Sequence, residues 1–493
     1  MKALILSLCL LSCAALAQRP APPKPTTAPD AHAAIREADI RRDLLALGGD
    51  RFRGREAGTL DELRASAWLA EQLRTAGAEP AGDDGTYFQF FQIQRLRLTK
   101  SSQLSIGTHT LRPNHDALLF APVRAAVSAP LVWAGSGSAA ELAKLDVKGK
   151  AVAVQFGGEV PAGLSFRRFL SASLRERSVE LAKAGAVAVV WVSDARAQAV
   201  YAHWGHTYER GRYDLPGGPN VRLPTAALPI VWLPADAASW AQAPGQQFTA
   251  DLQLETFAYP SVNIVAKIAG TDAKLKAQYV LFSTHQDHDG VREAVAGDSI
   301  YNGADDNATG CAATLALVRA FRQRPARRSA LFVFHGAEER GLLGSRYFSA
   351  HPTVPAESLV AVLNAEMMGR NAADSAALLG RVRPHRNSAD LVSTALAANL
   401  AGPKFKLDSL WDRADHPEGW YFRSDHLPYA RLGIPAVMFT SLLHPDYHTP
   451  RDEPARIGYP KLTNMTRWMY LTGWAVANRT EPPAREPGFK LER

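Results

Sequence analysis

Cysteine is nearly absent from this 493-residue chain, which contains three. Cys9 and Cys13 lie in an apolar N-terminal segment, so only Cys311 certainly remains if that segment is removed. A framework of intrachain disulfides is therefore excluded. A structural zinc site rich in thiolates is excluded for the same reason.

Two further absences narrow the class of protein. Beyond the N-terminal segment, no apolar run is long enough to span a bilayer. Lys and Arg outnumber Asp and Glu by 56 to 48, but they are scattered, and no nucleic-acid-binding motif is present. We therefore expect a globular protein with no transmembrane segment and no nucleic-acid partner. The length predicts two or three domains.

The N-terminus is typical of a targeting segment. Lys2 precedes the apolar run Ala3 to Leu11, and Ala15-Leu16-Ala17 fits a cleavage site for a signal peptide over 1–17. Residues 18–33 are rich in Pro and Ala and predict an extended linker. We expect an exported protein, periplasmic or secreted. Anchoring as a lipoprotein through Cys13 is the less favoured alternative.

Alternating strands and helices predict an α/β fold with a mainly parallel mixed sheet flanked by helices. We assign residues 34–125 and 256–480 to this domain and 481–493 to a C-terminal tail. Between them, residues 126–255 contain short apolar runs around one helix, Ser178 to Ala184, and predict a small inserted α+β domain.

Polar side chains follow several of the predicted strands. Alone, each of these motifs is an ordinary loop or helix cap. Together they place an Asp, Glu or His at the carboxyl ends of parallel strands, where open α/β sheets build their sites. The motifs are His285-Gln286-Asp287, Asp305-Asp306-Asn307, Glu338-Glu339, Asn364-Ala365-Glu366 and Tyr447-His448.

The nitrogen and oxygen donors of these motifs are ligands that zinc prefers. Two histidines and three carboxylates suit a pair of metals that share one carboxylate. One further acid is then available for proton transfer. This set of residues indicates a hydrolase.

These motifs resemble the two-zinc exopeptidase family, which includes bacterial leucyl aminopeptidases, enzymes of the aminopeptidase Y type and the related glutamate carboxypeptidases. The resemblance extends over about residues 36–480. The order of elements in the insertion, with the step Lys183-Ala184-Gly185-Ala186, resembles the protease-associated domain.

The resemblance implies two Zn²⁺ ions per chain and a role for each residue. One ion would be held by His285, Asp306 and Glu366, and the other by Asp306, Glu339 and His448, with Asp306 bridging. Glu338 would be the general base that acts on a water between the metals, and Tyr447 would stabilise the oxyanion. Asp287 would orient His285 from the second coordination shell. Asn307, which would follow a cis peptide bond, would likewise support the ligands without binding a metal.

The sequence departs from the family at Glu366, where many members have Asp. The longer side chain can still bind zinc, but it leaves open the geometry around the substrate amine. His288, Asp298, Asp425 and His426 lie near the motifs, and a structural role is favoured for each.

The predicted activity is hydrolysis of N-terminal residues from peptides with a free N-terminus. A carboxypeptidase or dipeptidase on the same two-zinc core is the alternative, and a non-catalytic, peptidase-like binding protein is less favoured. The sequence does not specify the preferred N-terminal residue, the native metal, the role of the insertion or the oligomeric state.

Overall fold

Two large β-sheets with their helices make up residues 34–160, 166–221 and 228–492, which are the residues that this computed structural model describes. The signal peptide and linker predicted over residues 1–33 lie outside these ranges. The helices are α1 (Glu37–Gly48), α2 (Leu60–Thr75), α3 (Ala139–Leu142), α4 (Phe166–Lys183), α5 (Ala195–Arg210), α6 (Ala238–Ala241), α7 (Thr309–Gln323), α8 (Leu343–Ala350), α9 (Ala389–Ala401), α10 (His426–Arg431) and α11 (Tyr459–Asn478). The strands are β1 (Glu79–Pro80), β2 (Phe88–Leu98), β3 (Gln103–Ile106), β4 (His109–Leu111), β5 (Leu118–Leu119), β6 (Ala125–Trp133), β7 (Ala151–Gln155), β8 (Ala188–Val192), β9 (Arg212–Asp214), β10 (Ile230–Leu233), β11 (Gln247–Leu252), β12 (Leu254–Ile268), β13 (Tyr279–His285), β14 (Gly290–Val295), β15 (Asp298–Tyr301), β16 (Ser329–His335), β17 (Leu359–Glu366), β18 (Ser375–Leu379), β19 (Lys406–Asp408) and β20 (Ala436–Thr440).

The first sheet is mixed and has the order β19-β18-β20-β17-β13-β16-β12-β2-β9, with β1 paired to β12. Its four central strands, β20, β17, β13 and β16, are parallel to one another, while β12 and β18 run antiparallel to them on either side. The central strands are buried along nearly their whole length, as expected for strands covered on both faces. The four parallel strands therefore end at one edge of the sheet.

Helices cover both faces of this sheet. On one face α1, α2, α7, α9 and α11 pack over the sheet around Leu69, Phe282, Leu315 and Trp468. On the other face Phe348 of α8 and Tyr429 of α10 pack against the central strands. These layers confirm the predicted fold class, an α/β fold with a mixed sheet between helices. In the ranges that the structure covers, no helix is both long enough and apolar enough to cross a membrane.

The second sheet has the order β4-β3-β11-β6-β7-β8-β10-β5 and two hydrophobic cores of its own. It takes up β3, β4 and β5, which lie within 103–119, so it begins before residue 126, the boundary predicted from the sequence. The reason is that β2 pairs with β12 along its whole length, up to Leu98 opposite Leu254. Of the strands between Leu98 and Leu254, only β9 belongs to the first sheet, where it pairs with β2. The prediction of one helix in the insertion, Ser178 to Ala184, is wrong, since α4 begins at Phe166 and α5 is a second long helix.

Candidate active site

The predicted site residues converge at the carboxyl edge of the first sheet. His285 is the last residue of β13 and Glu366 the last of β17. Glu338 and Glu339 form a short turn after β16, and His448 lies in the loop that follows β20. The parallel register brings these ends together because His285 is level with His335, the last residue of β16.

Asp306 lies between the two histidines. Its Oδ1 is 3.2 Å from Nε2 of His285, and its Oδ2 is 3.2 Å from Nε2 of His448. Glu366 Oε1 completes the first group at 3.4 Å from His285 Nε2, and Glu339 Oε2 completes the second at 3.3 Å from His448 Nε2. One carboxylate thus faces both groups, one oxygen to each, which is the arrangement that a bridging ligand requires.

The turn before helix α7 is fixed by hydrogen bonds from several directions. The Asp306–Asn307 peptide bond is cis, as the resemblance implies. Asn307 Nδ2 donates to the Ala365 carbonyl at 2.8 Å, and its Oδ1 accepts from the N–H groups of Gly310 and Met367 at 3.1 Å each. Asn307 therefore ties this turn to the end of β17.

Asp287 acts in a different way from the one predicted. Its carboxylate is 3.9 Å from His285 Nδ1, and it is the Asp287 carbonyl oxygen, at 3.1 Å, that faces this nitrogen. The carboxylate instead accepts the backbone N–H groups of Glu338 at 2.9 Å and Glu339 at 3.3 Å. The side chain of Asp287 consequently holds the Glu338–Glu339 turn, and its main chain orients the imidazole.

Burial and charge act in opposite directions on the ionisable groups of the site. Burial lowers the pKa of His285, but the Glu338 and Glu366 carboxylates outweigh it and hold that pKa well above its usual value. Burial also lowers the pKa of His448, but the Glu339 carboxylate outweighs it and holds that pKa well above its usual value. Burial raises the pKa of Glu338, and the neighbouring carboxylates Glu339 and Glu366 raise it further. The site is therefore a buried pocket of excess negative charge.

Tyr447 and Arg423 lie next to His448 at the edge of this group. The ring centroid of Tyr447 lies 4.0 Å from that of His448, and its hydroxyl accepts a hydrogen bond from Arg423 Nη2 at 3.0 Å. Burial raises the pKa of Tyr447, so the phenol keeps its proton and can donate it in a hydrogen bond.

Three further side chains belong to the site although the sequence did not predict a functional role for them. His288, to which a structural role was assigned, has its Nδ1 2.8 Å from Glu339 Oε1 and groups with Asp306, Glu339 and His448 as a candidate ligand. Asp289 Oδ2 lies 3.0 Å from His448 Nδ1. Ser424 donates to Glu366 Oε2 at 2.6 Å. The alternation of polar residues 285, 287 and 289 beyond β13 was a signal for Asp289, but nothing near Ser424 in the sequence connects it to Glu366.

The donor set fits divalent metal ions of the zinc type. Imidazole nitrogens and carboxylate oxygens form two groups whose members lie within 4.8 Å of one another: one group has His288, Asp306, Glu339 and His448, and the other has His285, Glu338 and Glu366. The buried Nε2 of His448 makes no hydrogen bond although two carboxylate oxygens lie beside it. A cation between these atoms would satisfy them.

The backbone at the site is also unusual. Ala337, Met367 and His448, each next to or among the ligands, have φ values of 54°, 50° and 53°. Positive φ is disfavoured for residues other than glycine, and such residues concentrate at functional sites.

Comparison with known sequences identifies the region that carries the site. Residues 263–472 match peptidase family M28. Aminopeptidase YwaD of Bacillus subtilis is 28% identical over 167 residues, which cover 32% of this chain and 34% of that protein. A vacuolar membrane protease of Candida glabrata is 35% identical over 111 residues, 22% of this chain and 10% of that protein. The chain therefore matches only 34% of the length of YwaD and 10% of the length of the vacuolar membrane protease.

Solved structures share the fold over most of the chain. An aminopeptidase from Aneurinibacillus sp. strain AM-1 superimposes with a TM-score of 0.59 at 22% identity, covering 92% of this chain and 97% of that one. A zinc aminopeptidase from Bacillus subtilis gives a TM-score of 0.58 at 18% identity, covering 92% and 99%. The match of residues 263–472 agrees with the family expected from the motifs, and these structures confirm the fold class.

Proposed function

From the premise that residues 263–472 form a peptidase family M28 domain, we propose that this protein is a zinc-dependent aminopeptidase that removes N-terminal residues from peptides. The observation that carries the proposal is the position of Asp306, whose two carboxylate oxygens each lie 3.2 Å from a different histidine. His285 and Glu366 flank one oxygen, and Glu339 and His448 flank the other.

We assign two Zn²⁺ ions to these groups. Bound there, the ions supply Lewis-acid polarisation of the scissile carbonyl and lower the pKa of water towards neutrality. The chain's own residues do the rest of the chemistry. Glu338 accepts a proton from the attacking water and delivers it to the nitrogen of the leaving amine.

Tyr447 and Arg423 act together on the oxygen of the reacting carbonyl. Because Arg423 donates to the Tyr447 oxygen, the phenolic O–H is free to donate to the oxyanion that develops on the carbonyl. The free amine of the substrate is attracted by the excess carboxylates of the pocket, which favours an exopeptidase that acts at the N-terminus.

The proposal extends to the rest of the chain. Residues 1–17 direct export to the periplasm or the medium, and the second sheet is a protease-associated domain. The N-terminal pattern from Lys2 to Ala17 supports the first assignment. The order of elements in the insertion supports the second.

Substitution Glu338→Gln tests the mechanism. It removes the proton acceptor and keeps the side-chain shape, so we expect hydrolysis of aminoacyl-anilides to fall by about 10²–10⁴-fold while zinc content stays at the wild-type level. The exposed Glu357→Gln is the matched control and should keep full activity. Near-wild-type turnover by Glu338→Gln would contradict the role of this residue.

The carboxypeptidase alternative predicts a different substrate profile. Peptides blocked by acetylation of the N-terminus should resist the wild-type protein if it is an aminopeptidase. Hydrolysis of blocked and free peptides at equal rates would favour the alternative, and no hydrolysis of any peptide by the zinc-loaded protein would favour a binding protein.

A further inference from the structure

A cleft of about 950 Å³ lies between the insertion and the first domain. Helix α4 and the segment after β9 form one wall, and α8 with the segment 417–431 forms the other. Its lining includes the arginines Arg175, Arg346, Arg423 and Arg431 and the acids Asp214 and Glu418. Both domains therefore contribute to it.

The cleft adjoins the candidate active site. The N–H groups of Gly341 and Leu342, which line the cleft, donate to the carbonyl oxygen of Glu338 at 2.9 and 2.8 Å. Arg423, which also lines the cleft, donates to the Tyr447 hydroxyl. A peptide whose scissile carbonyl lies beside Glu338 and Tyr447 would extend into this space.

The lining carries four arginines against two carboxylates. Arg346 is paired with Asp214 at 2.8 Å, and Arg423 with Glu418 at 3.2 Å. Arg175 and Arg431 are exposed and have no ion-pair partner among the described residues. The charge that remains uncompensated in the cleft is therefore positive, and one positive group comes from each wall.

We propose that this cleft binds a carboxylate carried by the peptide substrate close to the scissile bond, with Arg175 and Arg431 as the residues that determine this specificity. The proposal rests on the proposed peptidase function. A guanidinium donates two parallel hydrogen bonds to a carboxylate and keeps its charge at every physiological pH, so it suits this task. The carboxylate can be an acidic side chain or the C-terminus of a short peptide.

This assignment also gives the insertion a function. Arg175 lies on α4, outside the M28 match at residues 263–472. The insertion thus supplies one half of the charge that selects the substrate, while the first domain supplies the reacting groups and Arg431. Leu342, Phe422 and Leu427 provide apolar surface in the same cleft.

Matched substrate pairs test the proposal. The pairs are a leucyl tripeptide against its C-terminal amide, leucyl-glutamyl amide against leucyl-glutaminyl amide, and the glutamyl against the glutaminyl anilide. We expect the wild-type protein to prefer the carboxylate member of at least one pair by about 5–10-fold in kcat/KM, with the preference declining as ionic strength rises.

Two variants and one control attribute the preference to the cleft. Arg175→Gln and Arg431→Gln should each lower the ratio of kcat/KM within that pair by about 3-fold or more. Arg177→Gln is the matched control, since Arg177 lies on the same helix but donates to the Ser136 carbonyl at 2.5 Å and is not in the cleft lining. It should keep the wild-type ratio. A wild-type ratio of one in all three pairs, or a ratio that neither variant changes, would overturn the proposal.

Binding measurements separate this proposal from the proposed reaction. Calorimetric titration of the zinc-loaded Glu338→Gln protein with both members of each pair reports affinity without turnover. Tighter binding of the carboxylate member, lost when Arg175→Gln is added, supports the cleft even if the wild-type protein hydrolyses no peptide. Equal affinity for both members, in a protein that does hydrolyse peptides, overturns the cleft and leaves the reaction intact.

Discussion

Asp289 connects the insertion to the candidate metal ligands. The carboxylate oxygen Oδ2 of Asp289 lies 3.0 Å from His448 Nδ1. Arg210, the last residue of α5, donates to the backbone carbonyl oxygen of Asp289 at 2.7 Å. Arg292 donates to the same carboxylate at 2.5 Å. Burial opposes ionisation of Asp289, but His448 holds its pKa well below the usual value. Asp289 thus stays charged and fixes the orientation of the imidazole.

Substitution Asp289→Asn should weaken zinc binding by about 10–100-fold, because partners of this kind set the basicity and direction of a ligating histidine. Competition with a chromogenic chelator measures the change, and circular dichroism checks the fold. Asp298→Asn in the nearby hairpin is the control. An unchanged zinc affinity in Asp289→Asn would show that His448 is oriented without it.

A second prediction at the residue scale concerns Glu62 and the pH dependence of the free energy of unfolding. Glu62 is buried, accepts from Ser261 Oγ at 2.6 Å and from the Gly58 N–H at 2.5 Å, and lies in the first turn of α2. Burial raises the pKa of Glu62 from 4.5 to about 8. Between these two values the folded chain holds a proton that the unfolded chain releases. The free energy of unfolding should therefore decline as pH rises through this window.

Glu62→Gln removes this proton and should remove up to about 1.4 kcal/mol per pH unit of that decline. Chemical denaturation at pH 5, 6, 7 and 8 measures the slope for both proteins. Glu71→Gln on the exposed face of the same helix is the control, because hydrogen bonding to Arg74 lowers the pKa of Glu71 and moves its effect below this window. Parallel slopes for wild type and Glu62→Gln would contradict the assignment.

At the residue scale, motif spacing was sufficient to find the side chains that converge at the site, but not the side chains that support them. His285, Asp306 and Glu366 lie at strand or helix ends that the apolar pattern marks. Their partners are side chains such as Ser424, which is 58 residues from Glu366 in sequence and reaches it only through the fold. The exchange of roles between the carboxylate and the carbonyl of Asp287 depends on backbone direction, which spacing does not specify.

At the scale of elements, α11 packs on the central strand β13 through a glycine. A Cβ at Gly473 would lie 2.3 Å from Cζ of Phe282, whose ring is fully buried and stacks on Phe332 at 5.3 Å. Alanine would favour the helix by about 1 kcal/mol, but overpacking a core of this kind costs about 1–3 kcal/mol.

We expect Gly473→Ala to lower the free energy of unfolding by about 1–2 kcal/mol, measured by chemical denaturation. Asn464→Ala, at a half-buried position of the same helix, should change it by less than about 0.5 kcal/mol. A stabilised Gly473→Ala protein would mean that α11 can move away from β13 at little cost.

The elements that the sequence identified are those with continuous apolar runs. Strands β13, β16 and β17 are such runs because both of their faces are buried. Strands β3 and β4 were missed because they are short and carry polar residues, and this is why the insertion boundary was placed at residue 126. The first half of α4 is rich in arginine and serine, which hid its helical period.

At the scale of the whole molecule, the sequence indicated two domains but not the space between them. The cleft is formed by α4 and the segment after β9 from one domain and by α8 and the segment 417–431 from the other. The register by which β9 joins β2 brings these segments together. No local pattern in either stretch encodes that pairing, so a charged cleft between domains could be recognised only from the coordinates.

Five side chains, by our proposal, hold a pair of metals with one carboxylate between them. Anomalous diffraction at the zinc edge, from crystals grown with zinc, locates the ions directly. We predict two peaks, one contacted by His285 and Glu366, the other by Glu339 and His448, with Asp306 contacting both. A single peak, or peaks that Asp306 does not touch, would contradict it.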